Sequence, residues 1–305
     1  MKLKIAISAM ALCLASPSFA ADLGKYDGSV KDDVLDSGLI YQGTLGVSVL
    51  HTWADGSDDF IIDDEDHFGI TGLGRVSIPL GLMMSAQFDI DGTSNFLSGD
   101  EIDDNFGHAF SAAGHLSYRD PRSYLVGVFG FVGNSSAGED EQATFYGAGL
   151  EGQLYLRNVT LYGQAGFFTG EGEDDNGDGI EDAWFVRGVG RYFFSPNSKL
   201  EAEVSYAQGD IDFGGTDADD DPMVAWGVSF ERMMPRFPIA WTVGYSGSTA
   251  ENKDDDTDYT DHTVRAGLKF HFGARTLLDI DRRGATLDTP TEIGRWYGYS
   301  FESID

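Results

Sequence analysis

The chain has 305 residues, with 51 Asp or Glu against 20 Lys or Arg, so its formal net charge is -31. This acidity excludes a nucleic-acid binder, because phosphate contacts need Lys and Arg. Hydrophobic residues make up 41% of the chain. After the N-terminal region no stretch approaches the roughly 18 uninterrupted apolar residues that a membrane-spanning helix needs.

The N-terminus has the pattern of a secretory signal peptide over residues 1–20. A basic start precedes an apolar stretch over 5–15, and Ser18-Phe19-Ala20 supplies a small-x-small cleavage sequence. The single cysteine, Cys13, lies inside this peptide, so the remaining chain is predicted to have no disulfide or thiol chemistry. Residues 21–42 are polar and rich in Asp, and we expect them to form a lead-in.

From Thr44 to Gly273 the chain repeats one unit six times: an alternating strand, a tight turn, a second such strand and an acidic joint. Apolar and polar residues alternate at period two, which predicts strands. Twelve strands are predicted, near 44–53, 67–78, 82–91, 106–119, 124–133, 144–157, 159–170, 183–194, 200–209, 223–233, 239–248 and 262–273. The pattern predicts an all-β fold over 43–273, a 12-stranded antiparallel up-and-down transmembrane β-barrel.

Short and long joints never exchange places, so the two ends of the predicted barrel differ. The six long joints carry 33 acids and one base, Lys253; they are 54–66, 92–104, 134–143, 170–182, 210–221 and 249–261. Such a rim attracts cations and repels anions within a Debye length of about 8 Å. The alternative is that the acids only keep the surface soluble.

One face of each strand is predicted to meet lipid, which reconciles a membrane location with low hydropathy. The last strand has apolar residues at alternate positions from Val264 to Phe272, against Arg265, Lys269 and His271 between them. A soluble sandwich would alternate too. Aromatic residues at strand ends favour the membrane, since they belong in interfacial girdles; they are Trp53, Tyr118, Tyr124, Tyr146, Trp184, Tyr192 and Phe194.

The last strand also carries a motif over Arg265–Phe272: a polar residue, glycine two positions later, then hydrophobic residues at alternate places. This resembles the assembly signal on the last strand of Gram-negative outer-membrane barrels. The resemblance covers about residues 43–273. It implies a porin-like barrel in the outer membrane with both termini in the periplasm. The implied partners are outer-membrane lipid and lipopolysaccharide, the barrel assembly machinery, and small solutes or cations. One departure is that the family usually ends on the terminal aromatic, whereas 32 residues follow Gly273.

The inward positions of the predicted strands carry both bases and acids. The predicted lumen-lining residues are Arg75, Asp89, Glu151, Arg187, Arg191, Glu201, Glu203, Glu231, Arg265 and Lys269. In a channel, opposed basic and acidic walls orient polar solutes. In a closed barrel the same residues pair and fill the lumen. A barrel of twelve strands is intermediate between eight-stranded barrels, which side chains fill, and sixteen-stranded barrels, which leave an open channel. Both interpretations therefore remain.

One acidic joint resembles the start of an EF-hand calcium loop, with Asp174, Asn176 and Asp178 at the first, third and fifth positions and Gly179 at the sixth. Its twelfth position is Phe185 rather than the bidentate Glu. The loop therefore suggests a weak Ca²⁺ site, and diffuse bridging of divalent ions to lipopolysaccharide phosphates is the alternative. No other cofactor is expected.

The six histidines include no recognisable nucleophile motif, although His115 and Ser117 share the inward face of one strand. We therefore expect no enzymatic activity. The C-terminal tail, 274–305, ends in Trp296, Tyr297 and Phe301. It is predicted either to be a disordered periplasmic segment or to tuck into the mouth or lumen as a plug.

These observations predict a porin-like passive channel for small hydrophilic solutes that prefers cations. A non-conducting structural or surface-interaction barrel is the alternative, and an outer-membrane hydrolase is the third possibility.

Overall fold

The computed structural model describes residues 41–56, 66–81, 83–97, 108–136, 142–172, 179–213, 216–252 and 257–290. The predicted signal peptide, the lead-in up to residue 40 and the aromatic end of the tail lie outside these residues. Within the described ranges, twelve strands and a short helix follow in chain order: β1 Gln42–Gly56, β2 Asp66–Pro79, β3 Met84–Leu97, β4 His108–Asp120, β5 Tyr124–Ser136, β6 Gln142–Leu156, β7 Val159–Gly172, β8 Gly179–Ser195, β9 Ser198–Phe213, β10 Thr216–Met233, β11 Ile239–Asn252, β12 Thr257–Phe272 and α1 Leu277–Arg283.

Each strand pairs antiparallel with its neighbour in sequence, and β1 pairs with β12 to close the ring. The closing register runs without interruption from Gly43 opposite Phe272 to Gly56 opposite Tyr259. Closure leaves no edge strand, so the backbone groups of every strand can be paired between neighbours. The structure thus confirms the 12-stranded antiparallel up-and-down barrel.

The two ends of the barrel differ in their joints. At one end, called the short-turn end, the chain crosses between strands at 80–83, 121–123, 157–158, 196–197 and 234–238. The opposite end, called the acidic end, carries the remaining joints and the adjoining strand ends, which together are rich in Asp and Glu. Because the strand number is even, the start of β1 and the end of β12 both lie at the short-turn end.

The strands extend further toward the acidic end than the sequence predicted. β10 begins at Thr216 rather than 223, and β9 ends at Phe213 rather than 209, so two residues separate these strands instead of the long joint expected over 210–221. In this extension Asp212 lies opposite Asp217 in the backbone register of β9 and β10. The prediction of a long joint was wrong here because the strand ends were placed where apolar alternation stops, and strand pairing continues beyond that point.

The outer face of the barrel is apolar. Leu150 and Phe167 are 66% and 73% exposed, as expected for side chains that lie in lipid. Aromatic side chains form two groups along this face. Near the short-turn end Tyr192 packs on Phe194, with ring centroids 4.9 Å apart. Near the acidic end Trp184 packs on Tyr206 at 5.4 Å.

Among the described residues, no helix combines the length and the hydropathy needed to cross a membrane.

The inner wall contains phenylalanine rings that lie over glycines of the neighbouring strand. Phe131 is directly opposite Gly147, and Phe129 is opposite Gly149. A Cβ atom on Gly149 would lie 2.8 Å from the ring of Phe129 and 2.3 Å from the carbonyl oxygen of Ala165. Glycine is therefore required here by close packing rather than by backbone conformation.

We expect Gly149→Val to lower the free energy of unfolding by about 1–3 kcal/mol, because overpacking forces rings and backbone apart. Urea unfolding in detergent or liposomes measures this effect. Gly188→Val is the control, since a Cβ at Gly188 meets no atom within 4 Å. Equal stabilities of the two variants would contradict the proposed ring-over-glycine packing.

Candidate functional site

The C-terminal segment turns back into the barrel after β12. Gly273 has φ of 77°, and a Cβ there would lie 2.1 Å from the carbonyl oxygen of Tyr41. Only glycine fits both the left-handed backbone and this close approach. Residues 274–290 then lie in the short-turn half of the lumen, and this segment is called the plug.

Helix α1 anchors the plug at the short-turn end. Thr276 caps its N-terminus by accepting a hydrogen bond from the backbone N–H of Asp279 at 3.1 Å. The apolar face of the helix packs on inward side chains of β8, β10 and β11; the cluster contains Leu277, Leu278, Ile280, Phe193, Met233 and Ala240. Arg282 donates to the carbonyl oxygens of Leu156 and Val159 at 3.3 and 3.0 Å, which ties the helix to the turn between β6 and β7.

The extended part of the plug, residues 284–290, is held by wall side chains. Gln87 both donates to the carbonyl oxygen of Leu287 at 2.7 Å and accepts from its N–H at 3.2 Å. The Leu287 side chain is fully buried among apolar groups of β5 to β8. Thr286 accepts from Arg191 through both its hydroxyl, at 2.7 Å, and its carbonyl, at 3.0 Å.

Asp288 lies at the centre of a clamp of three arginines. It pairs with Arg75 of β2 and with Arg187 and Arg191 of β8, the last two at 3.4 and 2.6 Å. In a ring of twelve strands β2 and β8 are six positions apart, so they lie on opposite walls. The carboxylate therefore sits between these two walls, near the middle of the lumen.

The charge state of Asp288 follows from this clamp. Burial raises the pKa of its carboxyl, but the charges of Arg75, Arg191 and Arg187 outweigh burial and hold that pKa well below its ordinary value. Asp288 is accordingly ionised throughout the physiological pH range.

The three arginines of the clamp also form ion pairs with carboxylates of the barrel wall. Arg75 lies 3.5 Å from Asp89, Arg187 pairs with Glu203, and the Nε of Arg191 lies 2.6 Å from Glu201. Each of the three guanidinium groups is thus shared between the wall and the plug.

The ten predicted lumen-lining residues all lie on the inner side of the wall. Besides the pairs above, Lys269 lies 3.0 Å from Glu231, and Glu151 lies 2.9 Å from the Nδ1 of His115. Arg265 faces the cavity described below and makes no ion pair within the described part of the chain. The other nine inward charges pair with wall side chains, and three of the arginines pair with the plug as well.

His115 is built into this network rather than beside a nucleophile. It lies between Glu151 and Asp89, and its ring stacks on Phe129. Ser117 instead shares a hydrogen bond with the hydroxyl of Ser85 at 2.9 Å. The geometry gives His115 structural partners and offers no Ser–His pair.

The acidic half of the lumen is filled on one side by apolar rings. Inward residues of β4 to β10 pack together there; they are Ala113, Phe129, Phe131, Phe145, Phe168, Ile180, Ala183, Phe185, Ala207, Met223 and Ala225. Beside this cluster lies a cavity of about 400 Å³, lined mainly by β1 to β4 and β8 to β12. Hydroxyl groups of Ser48, Thr71, Ser229, Thr242 and Thr263 line this cavity, and the plug forms one side of it.

Sequence reasoning missed the residues that hold the plug. Asp281 and Asp288 belong to a tail whose polar sequence has no strand or helix period, and Gln87, Gln153 and Gln164 are neutral side chains on the inward face. The one signal available in the sequence was the inward arginines on β2 and β8, which indicate a need for carboxylate partners inside the barrel.

The suggested calcium ligands, Asp174, Asn176 and Asp178, lie outside the described residues. In the described part of the chain no three His, Cys, Asp or Glu side chains group closely enough to hold a metal ion.

We expect Arg191→Met to lower the free energy of unfolding by about 3–5 kcal/mol, because it leaves Glu201, Asp281 and Asp288 buried without this partner. Denaturant unfolding of the inserted barrel measures the change. Arg265→Met is the matched control and should be nearly neutral. A similar loss in both variants would show that lumen arginines stabilise by packing alone.

Comparison with known proteins supports the fold. No protein-family model matches the chain, and no curated protein matches it by sequence. Among solved structures, an outer membrane channel from Pseudomonas putida F1 matches with a TM-score of 0.55 and 14% identity, covering 80% of this chain and 100% of that one. Two others match less well. A TodX monoaromatic hydrocarbon channel mutant has a TM-score of 0.44 and 9% identity over 78% of this chain and 91% of its own. The KdgM porin in complex with oligogalacturonate has a TM-score of 0.42 and 10% identity, covering 74% of this chain and 99% of its own. The chain shares the β-barrel fold of the outer membrane channel from Pseudomonas putida F1.

Proposed function

We propose that the protein is a porin-like passive channel of the outer membrane for small hydrophilic solutes, with a preference for cations. The observation that carries the proposal is the cavity of about 400 Å³ in the lumen. Its hydroxyl lining suits hydrated solutes, because Ser and Thr can both donate and accept hydrogen bonds.

The cation preference is assigned to the rim rather than to the lumen. Bases and acids around the cavity balance each other, as in the pairs of Arg191 with Glu201 and Lys269 with Glu231. The six ranges predicted as long joints, which comprise the joints and strand ends of the acidic end, carry 33 acids and one base. A rim of one sign concentrates cations at the mouth, and this effect weakens with salt.

We further propose that residues 1–20 are a cleaved signal peptide and that the barrel assembly machinery inserts the chain. Lipopolysaccharide would then surround the acidic rim, with divalent cations bridging its phosphates to the carboxylates.

A second candidate function is a non-conducting barrel with a structural or surface-interaction role. The filled interior favours it, since the plug and the phenylalanine cluster together occupy much of the lumen. Single-channel recording in a planar bilayer separates the two: stepwise conductance supports the channel, and its absence in every variant described below supports the non-conducting barrel.

Reversal potentials under a salt gradient should show cations permeating more readily than anions. Changing Asp254, Asp255, Asp256 and Asp258 together to Asn should reduce this preference in dilute salt. The difference should vanish near 1 M salt, where the Debye length is about 3 Å. Equal cation and anion permeability of the unaltered protein in dilute salt would refute the rim mechanism.

Epitope tags test the orientation. We expect a tag inserted within 170–182 or 249–261 to be labelled on intact cells, because the acidic joints are proposed to face outward. A tag at the 196–197 turn should be labelled only after the outer membrane is permeabilised. Labelling of the 196–197 tag on intact cells would reverse the assigned orientation.

A further inference from the structure

We propose that the plug is a displaceable gate: the barrel has an open state in which residues 274–290 leave the lumen, and Asp288 is the latch that holds the closed state. This inference rests on the proposed channel function and assigns its regulation.

The first argument is that the wall stays charge-paired without the plug. If Asp288 leaves, Arg75 keeps Asp89, Arg187 keeps Glu203 and Arg191 keeps Glu201. A buried charge that loses its partner is strongly unfavourable. Because each arginine keeps a carboxylate, displacement of the plug does not incur this penalty.

The same holds for three of the uncharged wall groups that bind the plug. Gln87 also donates to Asp89 at 2.7 Å, and the hydroxyl of Tyr162 donates to Glu151 at 2.8 Å. The amide oxygen of Gln164 accepts from Arg187 at 3.1 Å. These second partners lie on the wall, so the hydrogen-bond network persists when the plug is absent. Arg119 differs, since its guanidinium donates to the plug carbonyl of Gly284 at 2.9 Å, and this bond favours the closed state.

The third argument concerns the barrel itself. Closure depends on the β1–β12 register, which is complete from Gly43 to Gly56 and includes no plug residue. The extended part of the plug, 284–290, joins no strand ladder, and its backbone is bonded by side chains such as Gln87 and Gln164. The plug can therefore leave without opening the sheet, turning about the left-handed Gly273.

Displacement would change the size of the solute path. The plug supplies Asp281, Ala285, Thr286 and Asp288 to the lining of the cavity. Arg75 of β2 and Arg187 and Arg191 of β8 already line this cavity. Without the plug side chains the cavity would extend further into the short-turn half of the lumen. The closed state then corresponds to a small conductance and the open state to a larger one.

Single-channel recording on the full-length protein and four variants tests the gate. A chain ending at Gly273 gives the open level. Asp288→Asn keeps the shape of the latch and removes its charge, and Asp279→Asn is the matched control because Asp279 contacts Arg283 and Thr276 within the plug. The fourth variant, Gln153→Cys with Thr286→Cys, allows a reducible thiol cross-linker to join wall and plug where these side chains now touch at 3.3 Å.

We expect the full-length protein to show a low conductance with brief steps to the level of the truncated chain. Asp288→Asn should raise the open fraction at least about tenfold, because it removes the charge-assisted hydrogen bonds that Asp288 accepts from the three arginines, while Asp279→Asn leaves it unchanged. Cross-linking should abolish the steps, and reduction should restore them in the same sample.

Two results would overturn the gate while leaving the channel intact: identical conductance of full-length and truncated chains, or steps that persist after cross-linking. Equal effects of Asp288→Asn and Asp279→Asn would remove Asp288 as the latch. If none of the folded proteins conducts, including Asp288→Asn, the proposed channel function fails and the gate fails with it. Heat-modifiable mobility on gels verifies that each variant is a folded barrel.

Discussion

The structure depends on one constraint: a backbone in contact with lipid must satisfy its hydrogen bonds within the protein. The uninterrupted pairing of β1 with β12 meets it by removing both edges of the sheet. Once the ring is closed, side chains divide into an outer apolar set and an inner set that is free to be polar. The charged lumen, the phenylalanine cluster and the space for the plug all follow from that division.

The inner set is organised into two halves of different chemistry. Toward the acidic end, rings lie over glycines and exclude water. Toward the short-turn end, charges are paired across strands and onto the plug. Isolated charges at this depth would be strongly unfavourable, whereas paired and hydrogen-bonded charges are tolerated. Carboxylates on β3, β6, β9 and β10 supply wall partners for the bases, so the polar half has its own internal balance.

Sequence reasoning predicted the strand number and the inward side of the ten charged residues, because alternation directly records which positions face lipid. It placed the ends of β9 and β10 wrongly, since that signal stops where lipid stops. The contacts of Asp288 could not be predicted. Its partners on β2 and β8 precede it by more than ninety residues in the chain, and only the closed ring brings them together. The packing of Phe129 on Gly149 likewise depends on the strand register, which the alternation of apolar and polar residues does not specify.

The position of Asp288 between opposite walls sets an order of events during folding. In a flat sheet β2 and β8 would be about 29 Å apart, given a strand spacing of about 4.8 Å, and no single carboxylate could reach arginines on both. The complete clamp can form only when the sheet has curled into a ring. Docking of the plug is therefore a late step in folding, and contact of Asp288 with both walls reports that the barrel has closed.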